Sequence, residues 1–89
     1  DIASVCCRFY LRVSVDDCPS VLAQITGILG EQGISIASIT QKEGHEKTVP
    51  VVILTHEVKA VNMDKAMSLI EKLDVVQEKP LRFRIEDIN

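Results

Sequence analysis

Residues 9–33 read FYLRVSVDDCPSVLAQITGILGEQG, and the hydrophobic period changes within this stretch from that of a strand to that of a helix. From Phe9 to Val15 apolar and polar side chains alternate, which predicts a β-strand with one covered face. From Val21 onward apolar residues recur every three or four positions, as on the buried stripe of an amphipathic helix. In the polar turn between them Pro19 suits the first helical position, and Gly33 is placed to end the helix in a left-handed conformation.

The rest of the chain adds a second strand, a third strand, a second helix and a last strand. The segment from Ile34 to Glu43 is β-branched with broken alternation, which predicts either a bulge or a strand whose two faces are both partly covered. Residues 42–47 read as a hairpin loop, and Val49 to Thr55 as a central strand whose second face is also shielded, for example by another subunit or domain. Asn62 is predicted to cap the second helix, with Asp64 in its first turn. In the last strand Leu81, Phe83 and Ile85 alternate with Arg82, Arg84 and Glu86.

This order predicts an α+β, ferredoxin-like βαββαβ sandwich, with a four-stranded antiparallel sheet and two helices on one face. Because 89 residues bury one core, we expect a single domain over 1–89 with its core at about 8–87. A chain this short that begins at Asp1 is interpreted as a fragment of a longer enzyme. The bare face of the sheet is expected to carry Tyr10, Arg12, Ser14, Arg82, Arg84 and part of the third strand.

Composition excludes several classes of function. A net charge of -3 and only three aromatic residues argue against nucleic-acid binding, including an RNA-binding sheet of the same topology. No apolar run is long enough to span a membrane and no secretion signal is visible, so we expect a cytoplasmic protein. Three cysteines, of which Cys6 and Cys7 are adjacent, are expected to be reduced thiols and not a disulfide framework.

No residue pattern predicts catalysis, a metal site or a cofactor site within these residues. His45 and His56 have no cysteine or carboxylate at a spacing typical of a metal or nucleophile cluster, and are interpreted as surface residues. Gly27, Gly30 and Gly33 form GxxGxxG inside a helical pattern, which differs from the dinucleotide fingerprint GxGxxG after a strand.

The junction of the first strand and first helix is the one candidate binding site. The amides near Ser20, Val21 and Leu22 lie at a helix N-terminus, whose free N–H groups and about half a positive charge suit a small carboxylate. Asp16 and Asp17 beside them suit an ammonium group, so the two features together fit a free amino acid. Ordinary helix ends and Asp-Pro turns have the same composition, and the residues alone leave both interpretations open.

The stretch DCPSVLAQI at 17–25, followed by Gly33-Ile34-Ser35-Ile36, resembles the opening of ACT domains, which are amino-acid-sensing regulatory modules of biosynthetic enzymes. The segments YLRV at 10–13, ITGILGE at 25–31, IASI at 36–39 with QKE at 41–43, and VPVV at 49–52 with THE at 55–57 resemble, more narrowly, the C-terminal ACT domain of the bacterial homoserine dehydrogenase family.

This resemblance implies a regulatory fragment that is not itself an enzyme. The parent would be an NAD(P)-dependent oxidoreductase interconverting aspartate semialdehyde and homoserine, with its cofactor and catalytic domain outside this fragment. The fragment would bind an amino acid, threonine foremost, and form a homodimer or higher homo-oligomer through its second strand. The resemblance implies a ligand site built from two copies: Asp16, Asp17, Ser20, Val21 and Leu22 of one copy, and Ser35, Ile36 and Ala37 of its neighbour.

One position departs from the family pattern, and a second function stays open. Many ACT domains have glycine after the proline of this turn, whereas this chain has Ser20, whose hydroxyl replaces a ligand contact or narrows the pocket. The alternative is a structural dimerisation module that binds no ligand.

Overall fold

The computed structural model describes residues 6–16, 18–41 and 48–85. These form five strands and two helices in chain order: β1 (Cys6–Asp16), α1 (Val21–Glu31), β2 (Ile36–Gln41), β3 (Thr48–Thr55), β4 (Val58–Lys59), α2 (Ala60–Glu71) and β5 (Leu81–Ile85). The predicted ferredoxin-like order is confirmed, and β4 is an unpredicted two-residue addition. Within the described part of the chain, no helix is both long and apolar enough to cross a membrane. The predicted loop at 42–47 lies outside the described residues.

The sheet is antiparallel, and β1 lies at its centre. β1 pairs with β3 in the register Tyr10↔Leu54 and with β5 in the register Tyr10↔Phe83, while β2 pairs with β3 alone among the described strands. The strand order is therefore β2, β3, β1, β5, with β4 pairing the start of β1. The predicted bulge in the second strand is confirmed as a register shift between Ile36 and Ser38. β2 and β5 are left as the edges of the sheet.

The core lies between the two helices and one face of the sheet. Alternate residues of the two central strands are buried, and α1 and α2 each add one buried stripe. Burial of a large aliphatic side chain contributes roughly 1.5–3 kcal/mol, so these stripes hold the helices on the sheet. The fully buried residues of the central strands are Leu11, Val13, Val15, Val51, Ile53 and Thr55, and those of the helices are Ile25, Leu29, Met63, Ala66 and Ile70.

Both helix starts differ from the prediction. α1 begins at Val21 with Ser20 as its N-cap, so Pro19 lies in the turn and is not the first helical residue. α2 begins at Ala60, because the chain pairs as β4 up to Lys59 and turns directly into the helix. Asn62 is therefore inside α2, where it cannot act as the predicted cap.

Asn62 instead joins the two helices, since its Nδ2 donates to the carbonyl of Gln32 at the end of α1, at 3.1 Å. Asp64 lies beyond the first turn and pairs with Arg82. Gly33, which follows Gln32, has φ +74°, so the predicted left-handed end of α1 is confirmed.

The prediction for the bare face was wrong at β5. Arg82 pairs with Leu11 and Arg84 with Phe9, so both arginines lie on the helix-covered face, while Leu81 and Phe83 lie on the bare face. The alternating pattern gave the period of the strand but not its orientation. β5 is an edge strand, so its helix-side arginines reach past the core to the rim of α2, where Arg82 meets Asp64.

Candidate functional site

The candidate site begins at the turn between β1 and α1, which backbone hydrogen bonds hold in place. The Cys18 amide donates to the Asp16 carbonyl at 3.0 Å, and the Val21 amide donates to the Cys18 carbonyl at 3.3 Å. Pro19 and Ser20 are exposed at the tip. The turn therefore presents a fixed backbone directly before the helix.

The segment that follows α2 supports this turn, a feature that the sequence interpretation missed. The Asp16 amide donates to the Val75 carbonyl at 2.8 Å, and the Gln77 amide donates to the Ser14 carbonyl at 3.0 Å. Val15 and Val76 form an isolated antiparallel bridge. Two adjacent β-branched valines at 75 and 76 are the sequence signal for this bridge, but so short a pairing has no periodicity to reveal it.

The backbone amides at the start of α1 fall into two groups. The Val21 amide is engaged within the turn, and the Gln24 amide makes the first helical bond, to the Ser20 carbonyl at 3.1 Å. The amides of Leu22 and Ala23 donate to no acceptor among the described residues. Two free N–H groups at the positive end of a helix dipole suit a carboxylate group.

The side chains of the turn differ in what they offer a ligand. Asp16 is half-buried, and Ser20 is exposed with its Oγ accepting a hydrogen bond from Gln24 Nε2 at 3.1 Å. Val21 is buried in the core and Leu22 is partly buried against it, so these two contribute backbone groups only. Asp17 lies outside the described residues.

The second group of predicted residues lies at the start of β2. Ser35 is exposed, and its carbonyl accepts the His56 amide at 2.9 Å. Ile36 pairs with Thr55 and packs against the core, while Ala37 is exposed at the bulge. These residues lie at the start of β2, which is at one end of the strand order of the described sheet.

Within one chain the two groups lie at opposite ends of the sheet. Asp16 pairs with Thr48 at one end of β3, whereas Ile36 pairs with Thr55 at the other end. Seven residue-to-residue steps along β3 separate the two pairings, which is roughly 23 Å at about 3.3 Å per step. One copy of the chain therefore does not bring the predicted residues together.

The glycines of α1 are not placed as they are in a dinucleotide-binding turn. Gly27 and Gly30 are exposed positions within α1, and an added Cβ at either would meet nothing within 4 Å. A phosphate-binding turn places its glycines between the strand and the helix, where this chain has Cys18, Pro19 and Ser20.

Comparison with known proteins agrees with this architecture. The family model of the ACT domain matches residues 9–75. The crystal structure of the ACT domain from a GTP pyrophosphokinase of Chlorobium tepidum superposes with a TM-score of 0.71 at 15% identity, covering 89% of this chain and all of that one. The chain belongs to the ACT domain family, as its sequence pattern predicted.

Closer similarities are to one enzyme. The chain is 41% identical over 83 residues to homoserine dehydrogenase of Pseudomonas aeruginosa, a match that covers 91% of this chain and 19% of that protein. The crystal structure of a homoserine dehydrogenase from Thiobacillus denitrificans superposes with a TM-score of 0.87 at 38% identity, covering 97% of this chain and 19% of that one. The chain thus spans about a fifth of the length of these relatives.

Proposed function

We propose that this ACT domain is the amino-acid-binding regulatory part of a homoserine dehydrogenase, and that its ligand is threonine. The similarity to homoserine dehydrogenases over nearly the whole chain supports the choice of parent enzyme. The NAD(P)-dependent interconversion of aspartate semialdehyde and homoserine would then take place in the part of the parent outside these 89 residues.

The observation that carries the proposal is the placement of the two residue groups at opposite ends of the sheet. A second copy that pairs antiparallel along β2 reverses the direction of the partner strand. The partner's Ser35, Ile36 and Ala37 then come to the end of the sheet where Asp16 and the α1 turn lie. On this proposal a complete site would be built from two copies, and a symmetric pair would contain two such sites.

Each half of the site has a chemical role toward a free amino acid. The free amides of Leu22 and Ala23 would bind the ligand carboxylate, and the Asp16 carboxylate would bind its ammonium group. Ser20 Oγ, which accepts a hydrogen bond from Gln24, would accept or donate a further hydrogen bond with the ligand. The exposed start of the partner's β2 would close the pocket over the ligand side chain.

Calorimetric titration of the chain with threonine tests this site. We expect heat of binding and an increase in the melting temperature, because a ligand at 100 times its Kd stabilises the folded state by about 2.7 kcal/mol. The variant Asp16→Asn should lose most of the affinity, while Glu71→Gln, an exposed carboxylate on α2, should retain it. No heat and no stabilisation at millimolar threonine, in a confirmed dimer, would contradict the assignment of threonine.

The variant Ser35→Arg tests the proposed seam. An arginine at this exposed position places a bulky charge beside β2 in each of the two copies, where the strands would pair. We expect the dimer to dissociate and the threonine response to disappear together, as measured by sedimentation and calorimetry. Ser68→Arg, on the exposed surface of α2, is the matched control. A dimer that persists in Ser35→Arg would show that the seam lies elsewhere.

A structural dimerisation module is the second candidate, and the open edge of β2 favours it. Ala37 to Gln41 are all exposed, and their outward backbone groups can pair with another strand whether or not a ligand is present. In this candidate, Ser20 in place of the usual glycine would narrow the pocket and not supply a ligand contact. This candidate predicts a dimer that dissociates on dilution and does not respond to any amino acid.

A further inference from the structure

The bare face of the sheet carries exposed apolar side chains that are not part of the hydrophobic core. We call it the open face and define it by the side chains of β1, β3 and β5 that point away from the helices. Phe83 and Leu81 are the two most exposed of the large hydrophobic residues described, at 55% and 52%. The register places them beside Tyr10 and Arg12, and the rings of Tyr10 and Phe83 lie 6.0 Å apart. Its described residues are Arg8, Tyr10, Arg12, Ser14, Asp16, Thr48, Pro50, Val52, Leu54, Leu81, Phe83 and Ile85.

The charges on the open face have one sign next to the apolar patch. Arg8 and Arg12 flank Tyr10 along β1, and Arg8 Nε donates to the Thr55 carbonyl at 3.1 Å. Arg12 is exposed and forms no ion pair with any described residue. The nearest carboxylate that the register places on this face is Asp16, four residues along β1 and thus roughly 13 Å away.

A second copy of the chain is a poor occupant of this face. A two-fold axis that stacks β1 on β1 over the patch sets Arg12 against Arg12, or against Arg8 of the other copy, and like charges in contact oppose association. Shifting the axis toward β5 avoids this contact but leaves only two strands per copy in the interface. These form a patch roughly 10 Å wide and 17 Å long, whose area is far below the about 800 Å² per partner of a stable interface.

We propose that the open face docks on a different surface, which is apolar and places a carboxylate opposite Arg12. That surface belongs to the remaining part of the longer chain that contains this domain, so the inference rests on the proposed function in naming the partner. The chain spans only about a fifth of its homoserine dehydrogenase relatives, which leaves a large surface available for this contact. Burial of Phe83 and Leu81 there gives an apolar centre, and Arg12 fixes the orientation through its ion pair.

Hydroxyl-radical footprinting of the complete chain and of the 89-residue chain tests the docking, because it measures the solvent exposure of individual side chains. We expect the labelling rates of Phe83 and Leu81 to fall by about tenfold in the complete chain, as these residues enter the centre of an interface. Leu69, on α2 and 38% exposed, is the internal reference and should change by less than about twofold.

Two charge reversals in the complete chain identify the ion pair. Arg12→Glu should restore the labelling of Phe83 to the level of the 89-residue chain, because the partner carboxylate then faces a like charge. Arg84→Glu makes the same charge change on the other face of the sheet and should leave the labelling low.

The outcomes separate this inference from the proposed function. Equal labelling of Phe83 in both chains overturns the docking, and so does protection in the 89-residue chain that increases with its concentration, since the occupant would then be a second copy. Restoration by Arg84→Glu as well as Arg12→Glu would also overturn it. Homoserine oxidation and its response to threonine are measured separately. If the proposed function fails in those assays, the labelling of Phe83 and Leu81 still reports whether the open face is covered.

Discussion

The two faces of the sheet share the same strands but differ in how completely the fold covers them. On the helix-covered face, Leu11, Val13 and Ile53 have no exposed surface, and Thr55 is the one buried polar residue described. On the open face, Tyr10, Val52 and Leu54 are only half-buried, and Phe83 is more than half exposed. Adjacent residues of one strand therefore have different roles: one set is determined by folding and the other is free to serve association.

This difference explains why the two faces tolerate polar groups differently. Thr55 is accommodated because its Oγ1 accepts the Phe9 amide at 3.0 Å, and among the described residues no buried side-chain nitrogen or oxygen lacks a partner. Arg12 on the open face needs no such partner while water reaches it. The comparison predicts that substitutions on the helix-covered face change stability, whereas those on the open face mainly change association.

The largest expected effect is that of Leu11→Ala on the helix-covered face. Leu11 lies on the central strand with no exposed surface, and its truncation leaves a cavity that neighbouring strands cannot fill. We expect a loss of about 2–5 kcal/mol in the free energy of unfolding, measured by urea denaturation.

The adjacent substitution Tyr10→Ala is the control for Leu11→Ala, since it removes a larger side chain from the same strand on the open face. It should cost clearly less than Leu11→Ala. Equal losses would show that the open face is covered within the folded chain and that the two faces are not different.

The second prediction concerns Thr55→Val, which keeps the shape of the side chain but removes the acceptor of the Phe9 amide. A buried donor without a partner costs about 1–3 kcal/mol. Thr48→Val, on the same strand and half-buried, should have a smaller effect. The Phe9 amide should also exchange faster with solvent by NMR; unchanged exchange would mean that another acceptor replaces Thr55.

The sequence predicted both faces of β1 and β3 correctly but gave β5 the wrong orientation, for a physical reason. Residues 9–15 and the stripe around Ile25 and Leu29 follow the periods that burial imposes, so they identified the strand, the helix and the core. β5 also alternates, but the alternation fits two opposite orientations of the strand. One places Arg82 on the helix-covered face, and the other places Phe83 there. Pairing with β1 decides between them, and that pairing is not written in the local pattern.

The candidate site was predictable only in part for a related reason. The turn before α1 has a local signature, and the resemblance to ACT domains supplied the residues of β2. The support of Asp16 by Val75 depends on contact between distant segments. Likewise, the position of Asn62 within α2 depends on β4, a two-residue strand with no periodicity of its own.

A smaller effect is expected for Phe83→Thr in the 89-residue chain. Threonine retains strand propensity, and the substitution removes a ring that is mostly in water apart from its contact with Tyr10. We expect a loss of about 1 kcal/mol or less, of the size of an aromatic pair, by urea denaturation. A loss as large as that of Leu11→Ala would place Phe83 in the core and remove the basis for the open face as a docking surface.

The smallest effect is expected for Asp64→Asn, which removes an exposed ion pair from the helix-covered face. It tests whether solvent exposure, and not the face on which a residue lies, determines the loss of stability. Arg82 lies on the helix-covered face, yet its Nη1 contacts Asp64 Oδ1 at 2.6 Å with side-chain exposures of 35% and 62%. Because water screens such a pair, the loss should be about 0.5 kcal/mol and should vanish in high salt. Arg82→Ala should cost more than Asp64→Asn, since the guanidinium carbon lies 5.6 Å from the centre of the Phe9 ring and its removal uncovers that ring. If Asp64→Asn were the costlier of the two, the ion pair between Arg82 and Asp64, and not the packing of Arg82 on Phe9, would stabilise the contact of β5 with α2.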